Sequence, residues 1–469
     1  MPWWGHKYFY KRLKKIFMNL PSPKRDLSVK NILKLSFPTV ASQITLIVYG
    51  VLDSFFMGQL GTTAIAVSYI ASNIWLPISD VLDGLRTGTT VFTTRFAGNN
   101  QKDNVSKTLN IGLFSAIIIG GLVCLSAGYF SKIYFSFMSS GSVQDMGAQF
   151  LHIYLLSAPF AIIQFVITGF FAGLKDTVTP FIVTGATSFF SIFLEYIFLY
   201  GKFGFPKLGL QGVVISTLIA YVIGAVLSII FLIKKKATKQ YFNLKIPFKS
   251  LQKDYTKISF SMGFYVGLLN FTFIIFAYMF SSLGQANLAV QQVTFQIYSF
   301  SYYPMVGFLS AASIIIGNLV GSKKEIFIRY AILKLATISF VIFSFLSLFI
   351  FIFSPFIASV FSPHDPVVAS VLAKTIKIIA VNNMICSIYV VFRGALIGLK
   401  DSKILLISAV INGYLVFLPL SYILGIKLGM GAIGGFIAFL CWTISDTLFF
   451  AWRLFINKGW KAYVEGTQE

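Results

Sequence analysis

The stretch LGTTAIAVSYI, residues 60–70, returns as LGQANLAVQQV at residues 283–293. Two further pairs keep the same interval: FAGNNQKDN at 96–104 with LVGSKKEIF at 319–327, and FFAGLKDTVTP at 170–180 with ALIGLKDSKIL at 395–405. The spacing holds near 223 to 225 residues throughout. The chain therefore reads as one structural unit written twice.

Composition says what kind of unit it is. Of 469 residues, 57% are hydrophobic and only 11% charged, with a mean hydropathy of +0.80. Soluble domains carry about 25% charged residues. Long apolar runs fall near 32–57, 66–95, 108–131, 148–171, 178–200 and 207–233. Six more fall near 257–281, 287–319, 328–358, 367–396, 403–425 and 428–456. Each is long enough to span about 30 Å of hydrocarbon as a helix. Continuous runs of this length are not the short alternating strands of a membrane barrel. The expected fold is an all-α integral membrane protein with twelve transmembrane helices. They form two six-helix bundles related by a pseudo-two-fold axis along the membrane normal, because six spans per repeat preserve orientation.

Charge fixes the direction. The chain has 38 Lys and Arg against 15 Asp and Glu, a net charge of +23. The basic residues concentrate in the N-terminal segment and in RFAGNNQKDNVSK, KKKATKQYFNLKIPFKSLQKDYTK, GSKKEIFIR and RLFINKGWK. All lie on one side of a twelve-span chain, called the basic face below. This pattern reads as topology control rather than nucleic-acid binding, and it places both termini in the cytoplasm and the protein in the cell inner membrane. The expected organisation is a basic N-terminal segment (1–31), a first lobe (32–233), a basic linker (234–256), a second lobe (257–456) and a tail (457–469). The N-terminal segment lacks a signal-peptide pattern; it reads equally as an amphipathic surface helix or a basic tail. Cys124, Cys386 and Cys441 have no metal or disulfide spacing, the three histidines form no ligand pair, and no cofactor motif is present.

Polar stripes inside the apolar runs carry the functional signal. Ser42, Thr45, Tyr49 and Asp53 share one helical face, as do Thr184, Ser188, Ser191 and Glu195. Each stripe ends in a carboxylate about five residues before the non-basic end of its helix, so the two acids lie at matching depth. Facing each other, they could hold a proton, or with nearby hydroxyls a Na⁺; two separate, locally hydrogen-bonded acids are the plainer reading. Asp80, Asp83 and Arg86 lie on helix 2, where the three-residue spacing favours an ion pair between Asp83 and Arg86. Asp446 is expected to cap a neighbour or pair with Arg453. The second half offers a neutral stripe of Gln292, Gln296, Ser299 and Tyr303, with Asn382, Asn383 and Asn412 elsewhere. Gln292, Gln296, Tyr303 and Asn412 are candidates to line a substrate cavity, or to join helices.

LSFPTVASQ, LDSFFMGQLG, GLKDT, LEYIF and the two-by-six repeat together resemble the multidrug and toxic compound extrusion family, over about residues 30 to 455. LRTGTT (85–90) is similar to a segment of its DinF-like branch. The resemblance implies a coupling-ion cluster of Asp53, Tyr49, Glu195, Ser191 and Thr217, and a bending role for Pro38. Glu195 stands where the family has aspartate and Ser191 where asparagine is common, which leaves H⁺ and Na⁺ both open. The second-half acids of the NorM-like branch are absent. The implied function is a monomeric secondary antiporter, not an enzyme. It would export organic cations or amphipathic drugs across the lipid bilayer in exchange for H⁺ or Na⁺ by alternating access. A flippase for lipid-linked oligosaccharides is the alternative, and clustered Arg or Lys in the cavity would mark it.

Overall fold

The computed structural model describes residues 27–241, 249–457 and 461; the N-terminal amphipathic segment considered above lies outside them. Within the described residues, twelve helices are long and apolar enough to cross a membrane. The first six are α1 (Val29–Gln59), α2 (Thr62–Gly98), α3 (Lys102–Met138), α4 (Ser142–Gly173), α5 (Val178–Tyr200) and α6 (Leu210–Lys234). The second six are α7 (Leu251–Ser281), α8 (Gln285–Gly321), α9 (Glu325–Phe361), α10 (Pro366–Gly398), α11 (Ser402–Lys427) and α12 (Gly431–Asn457). The chain is a multi-pass membrane protein.

The repeated motif that opened the sequence reading now has a structural reason. Gly61 and Gly284 close the α1–α2 and α7–α8 turns, and both adopt φ +92°. That backbone is strained for any residue with a Cβ, so each repeat keeps glycine after its leucine. The α1 start is capped by Ser28, whose Oγ accepts from the Asn31 amide at 3.2 Å. Pro38 lies inside α1, which nevertheless runs as one helix. The proline has no amide to offer the Lys34 carbonyl, so the ladder is weakened there without being broken. In α11, wide π-type turns occupy residues 409–417 and 422–427.

The first six helices pack mainly on one another, as do the last six, and the two bundles meet where α1 lies on α8 and α2 on α7. These seams are made of main chain. A Cβ on Gly84 or Gly263 would strike the facing backbone of α7 or α2, and one on Gly307 would strike Ser36 and Val40 of α1. At the basic face, Gly98 lies against Asn318 and Gly321 against the Arg95 backbone. In membranes, where apolar burial does not drive association, such close approach supplies the dispersion contacts that hold helices together. All of these contacts lie in the basic-face half. Towards the other face, a Cβ on Gly50 or Gly58 of α1 would meet nothing within 4 Å. The bundles are therefore pinned together at the basic face.

Candidate functional site

Helices α1 and α5 pack side by side. Their stripes share the α1–α5 interface, and the Asp53 and Glu195 side chains lie close enough to interact electrostatically. Two carboxylates this near repel each other when both are ionised, which favours a proton or another cation between them. Glu195 is 0% exposed, and its Oε2 has no hydrogen-bond partner among the described residues. Its Oε1 accepts a long bond from the Ser191 hydroxyl at 3.4 Å. The same hydroxyl is 3.5 Å from the Tyr49 phenol, and Thr217 of α6 lies near that phenol. Thr217 is buried, with its hydroxyl 3.2 Å from the Val213 carbonyl. Asp53 is only half-buried. The site is thus a closed carboxyl (Glu195) behind a more accessible one (Asp53), ringed by three hydroxyls.

Sequence reading overlooked one neighbour. Tyr154 of α4 lies close enough to Tyr49, Asp53 and Glu195 to interact electrostatically, and it stacks on Trp75 with centroids 4.6 Å apart. It sits in an apolar run with no polar stripe around it, so nothing local marks it. Oxygen donors for a hard cation are available from Asp53, Glu195, Ser191, Tyr49 and Thr217. Among the described residues there is no cluster of three or more His, Cys, Asp or Glu side chains.

Helix α2 carries the ion pair its spacing predicts. Arg86 Nε lies 2.7 Å from Asp83 Oδ1 and Nη2 lies 2.7 Å from Oδ2, a bidentate pair. Asp80 accepts from the Asn270 amide of α7, which ties the two bundles together.

The second bundle departs from expectation in three ways. Asp446 does not pair with Arg453. Arg453 Nε bonds Asp401 at 2.7 Å, and Asp446 instead accepts from the Ser408 hydroxyl and, at 2.6 Å, the Asn412 amide. Asn412 does not open onto a cavity with the α8 glutamines. It is buried, and its carbonyl accepts from Ser445 at 2.9 Å. The reason is the Asp446 carboxylate of α12, which takes the Asn412 amide into the α11–α12 contact. The bundle is also not neutral at its centre. Arg393 of α10 is 8% exposed, with Nη1 3.1 Å from the Tyr302 hydroxyl and its guanidinium 4.7 Å from the Tyr265 ring centroid. Gln292, Gln296 and Tyr303 do share an exposed face of α8, while Gln291, Thr294 and Ser301 are buried behind them.

Comparison with known proteins fits this geometry. The MatE family model matches residues 38–197 and 262–423, two segments whose starts lie 224 residues apart, the interval of the internal repeat. A Thermotoga maritima relative named "Probable multidrug resistance protein NorM" is 24% identical over 449 residues, covering 92% of this chain and 93% of its own. A Bacillus cereus relative of the same name is 27% identical, covering 91% and 95%. Among solved structures, one titled "Outward-facing conformation of a multidrug resistance MATE family transporter of the MOP superfamily" superposes with a TM-score of 0.83. It is 18% identical and covers 93% of this chain and 96% of its own. A Pyrococcus furiosus transporter, described as having a reverse-polarity binding pocket, superposes at 0.82 with the same identity and coverage. With twelve helices in two repeats and the family model matched on both, the chain belongs to the MatE family.

Proposed function

We propose that this chain is a secondary antiporter that exports organic cations or amphipathic drugs in exchange for H⁺ or Na⁺. The observation that carries the reading is the proximity of Asp53 to the buried Glu195, whose Oε2 has no partner among the described residues. Two acids held together in a largely water-free site favour one bound cation, and a proton satisfies the unpartnered Glu195 oxygen most directly. Burial and mutual repulsion penalise the doubly ionised pair. Release of that cation and binding of drug then become linked equilibria, each weakening the other. Asp53 is the accessible partner and takes up the cation from the more open side. Ser191, Tyr49 and Thr217 orient the pair. Pro38, where the α1 ladder is weakest, lets α1 respond.

The names of the relatives support a drug-export role, and the DinF-like reading rests on the LRTGTT segment at residues 85–90. The orientation follows the basic residues, with the pinned face in the cytoplasm of the inner-membrane cell. A flippase for lipid-linked sugars is not favoured. Arg86 is engaged by Asp83, and Arg393 is buried among tyrosines, so the centre presents no bare cationic cluster among the described residues.

Purified protein in liposomes with an imposed pH or Na⁺ gradient tests the reading. One of the two gradients drives efflux of a fluorescent organic cation, and Asp53→Asn removes that drive. Flux indifferent to both gradients would sink the proposal.

A further inference from the structure

The two KD turns of the repeat, GLKDT and GLKDS, have the same backbone but different surroundings. Lys175 and Lys400 sit at equivalent positions with φ +64° and +61°. The aspartate that follows each lysine pairs with a base near the end of the last helix of its bundle: Asp176 with Lys235 at 2.7 Å, Asp401 with Arg453 at 2.7 Å. Around Lys400 the space is filled. Its ammonium lies 3.5 Å from the Phe92 ring centroid, Tyr255 packs on Phe92 at 5.9 Å, and Arg95 donates to the Leu399 carbonyl at 2.8 Å.

Around Lys175 the space is open. In the alignment of the repeats, Phe92 and Arg95 are replaced by Ile315 and Asn318. Smaller side chains leave a cavity of about 450 Å³ between α1, the α4–α5 turn and the basic-face end of α8. Its polar lining includes Lys34, Lys175 and Lys324, all exposed, and Asn318. The one carboxylate in the lining, Asp176, is already neutralised by Lys235. The other walls are apolar, among them Leu35 and Ile315.

We propose that this cavity binds the phosphate headgroup of an anionic phospholipid, whose occupancy clamps the two bundles together at the basic face. A cationic rim over apolar walls is complementary to an anionic amphiphile rather than to a bare ion. The rim draws on both bundles, Lys34 and Lys175 from the first and Lys324 from the second, so one headgroup bridges them. The lipid plays the part that the Phe92, Arg95 and Lys400 side chains play on the other side. The proposal rests on the membrane placement above but not on transport.

The test is native mass spectrometry of the full chain released from nanodiscs of phosphatidylcholine with a minor fraction of phosphatidylglycerol. The wild type retains phosphatidylglycerol, and Lys34→Gln with Lys324→Gln weakens retention about tenfold. Ile315→Phe, which installs the ring of the filled counterpart, has a similar effect by occupying the space. Lys236→Gln with Lys239→Gln removes the same charge from the basic face outside the cavity and leaves retention unchanged. Melting in pure phosphatidylcholine discs checks folding; should the Lys34/Lys324 variant melt early, Ile315→Phe decides. Equal loss in the Lys236/Lys239 control, or unchanged retention in Ile315→Phe, would overturn the site. Displacement of the lipid by millimolar inorganic phosphate would overturn the choice of a lipid over a soluble anion.

Discussion

The two bundles share a fold and differ in how their central acids are treated. In the first, Asp53 and Glu195 from different helices lie within electrostatic reach of each other, and Glu195 keeps an oxygen with no partner among the described residues. In the second, Asp446 stands without another carboxylate beside it and accepts from Ser408 and Asn412, with Arg393 close enough to act as a counter-charge. In the first centre Glu195 Oε2 lacks a donor among the described residues, while in the second Ser408 and Asn412 donate to Asp446. The internal repeat gives both bundles the same scaffold, and on the proposed reading it is the Glu195 carboxyl that an incoming ion completes.

Substitutions should separate the two. The largest effect is expected from Asp53→Asn. Drug-resistance export falls to the empty-vector level while the protein still reaches the membrane, as scored by growth and immunoblot. Glu195→Gln is nearly as severe, but Glu195→Asp keeps part of the activity, because the charge survives with a shorter reach. Equal loss in both Glu195 variants would show that charge without the full reach is not enough. Asp446→Leu spares the first centre yet strips Ser408 and Asn412 of their acceptor, at a cost of about 1–3 kcal/mol in stability. Thermal melts record that loss, and Asp446→Asn, which keeps an acceptor oxygen, retains export. Export lost in Asp446→Asn would erase the distinction between the bundles.

The smallest effect belongs to the peripheral pair Asp176–Lys235. Burial works against ionisation of Asp176, but the Lys235 ammonium and the Thr179 hydroxyl and amide more than offset it and hold the carboxyl below its ordinary value. A depressed carboxyl stabilises the fold fully above the unfolded value near about 4 and loses that contribution as pH falls through the folded value. The partly exposed pair is worth about 1 kcal/mol or less. Melting curves from pH 6 down to 3 should fall slightly more steeply for the wild type than for Asp176→Asn.

Much of this was legible in the chain. Tyr49 and Asp53 are four residues apart, as are Ser191 and Glu195, so regular helices bring each pair onto one face without any tertiary information. The ion pair of Asp83 and Arg86 followed from spacing in the same way. What escaped depends on packing between distant segments. Tyr154 reaches the acid pair only because α4 packs within the first bundle, and Arg393 is masked by tyrosines from α7, α8 and its own helix. Asn412 and Asp446 meet across α11 and α12, and Arg453 is taken by Asp401 from the α10–α11 turn, contacts that no local spacing shows.

The seam of Gly84, Gly263 and Gly307 has a mechanical consequence. Interlocked side chains must lift out of their grooves before one helix can roll over another. Here backbone meets backbone, with few knobs to disengage. The glycines themselves carry no ionisable group. Any response of the seam to pH or salt must therefore come from its neighbours, such as the Asp80–Asn270 contact between α2 and α7.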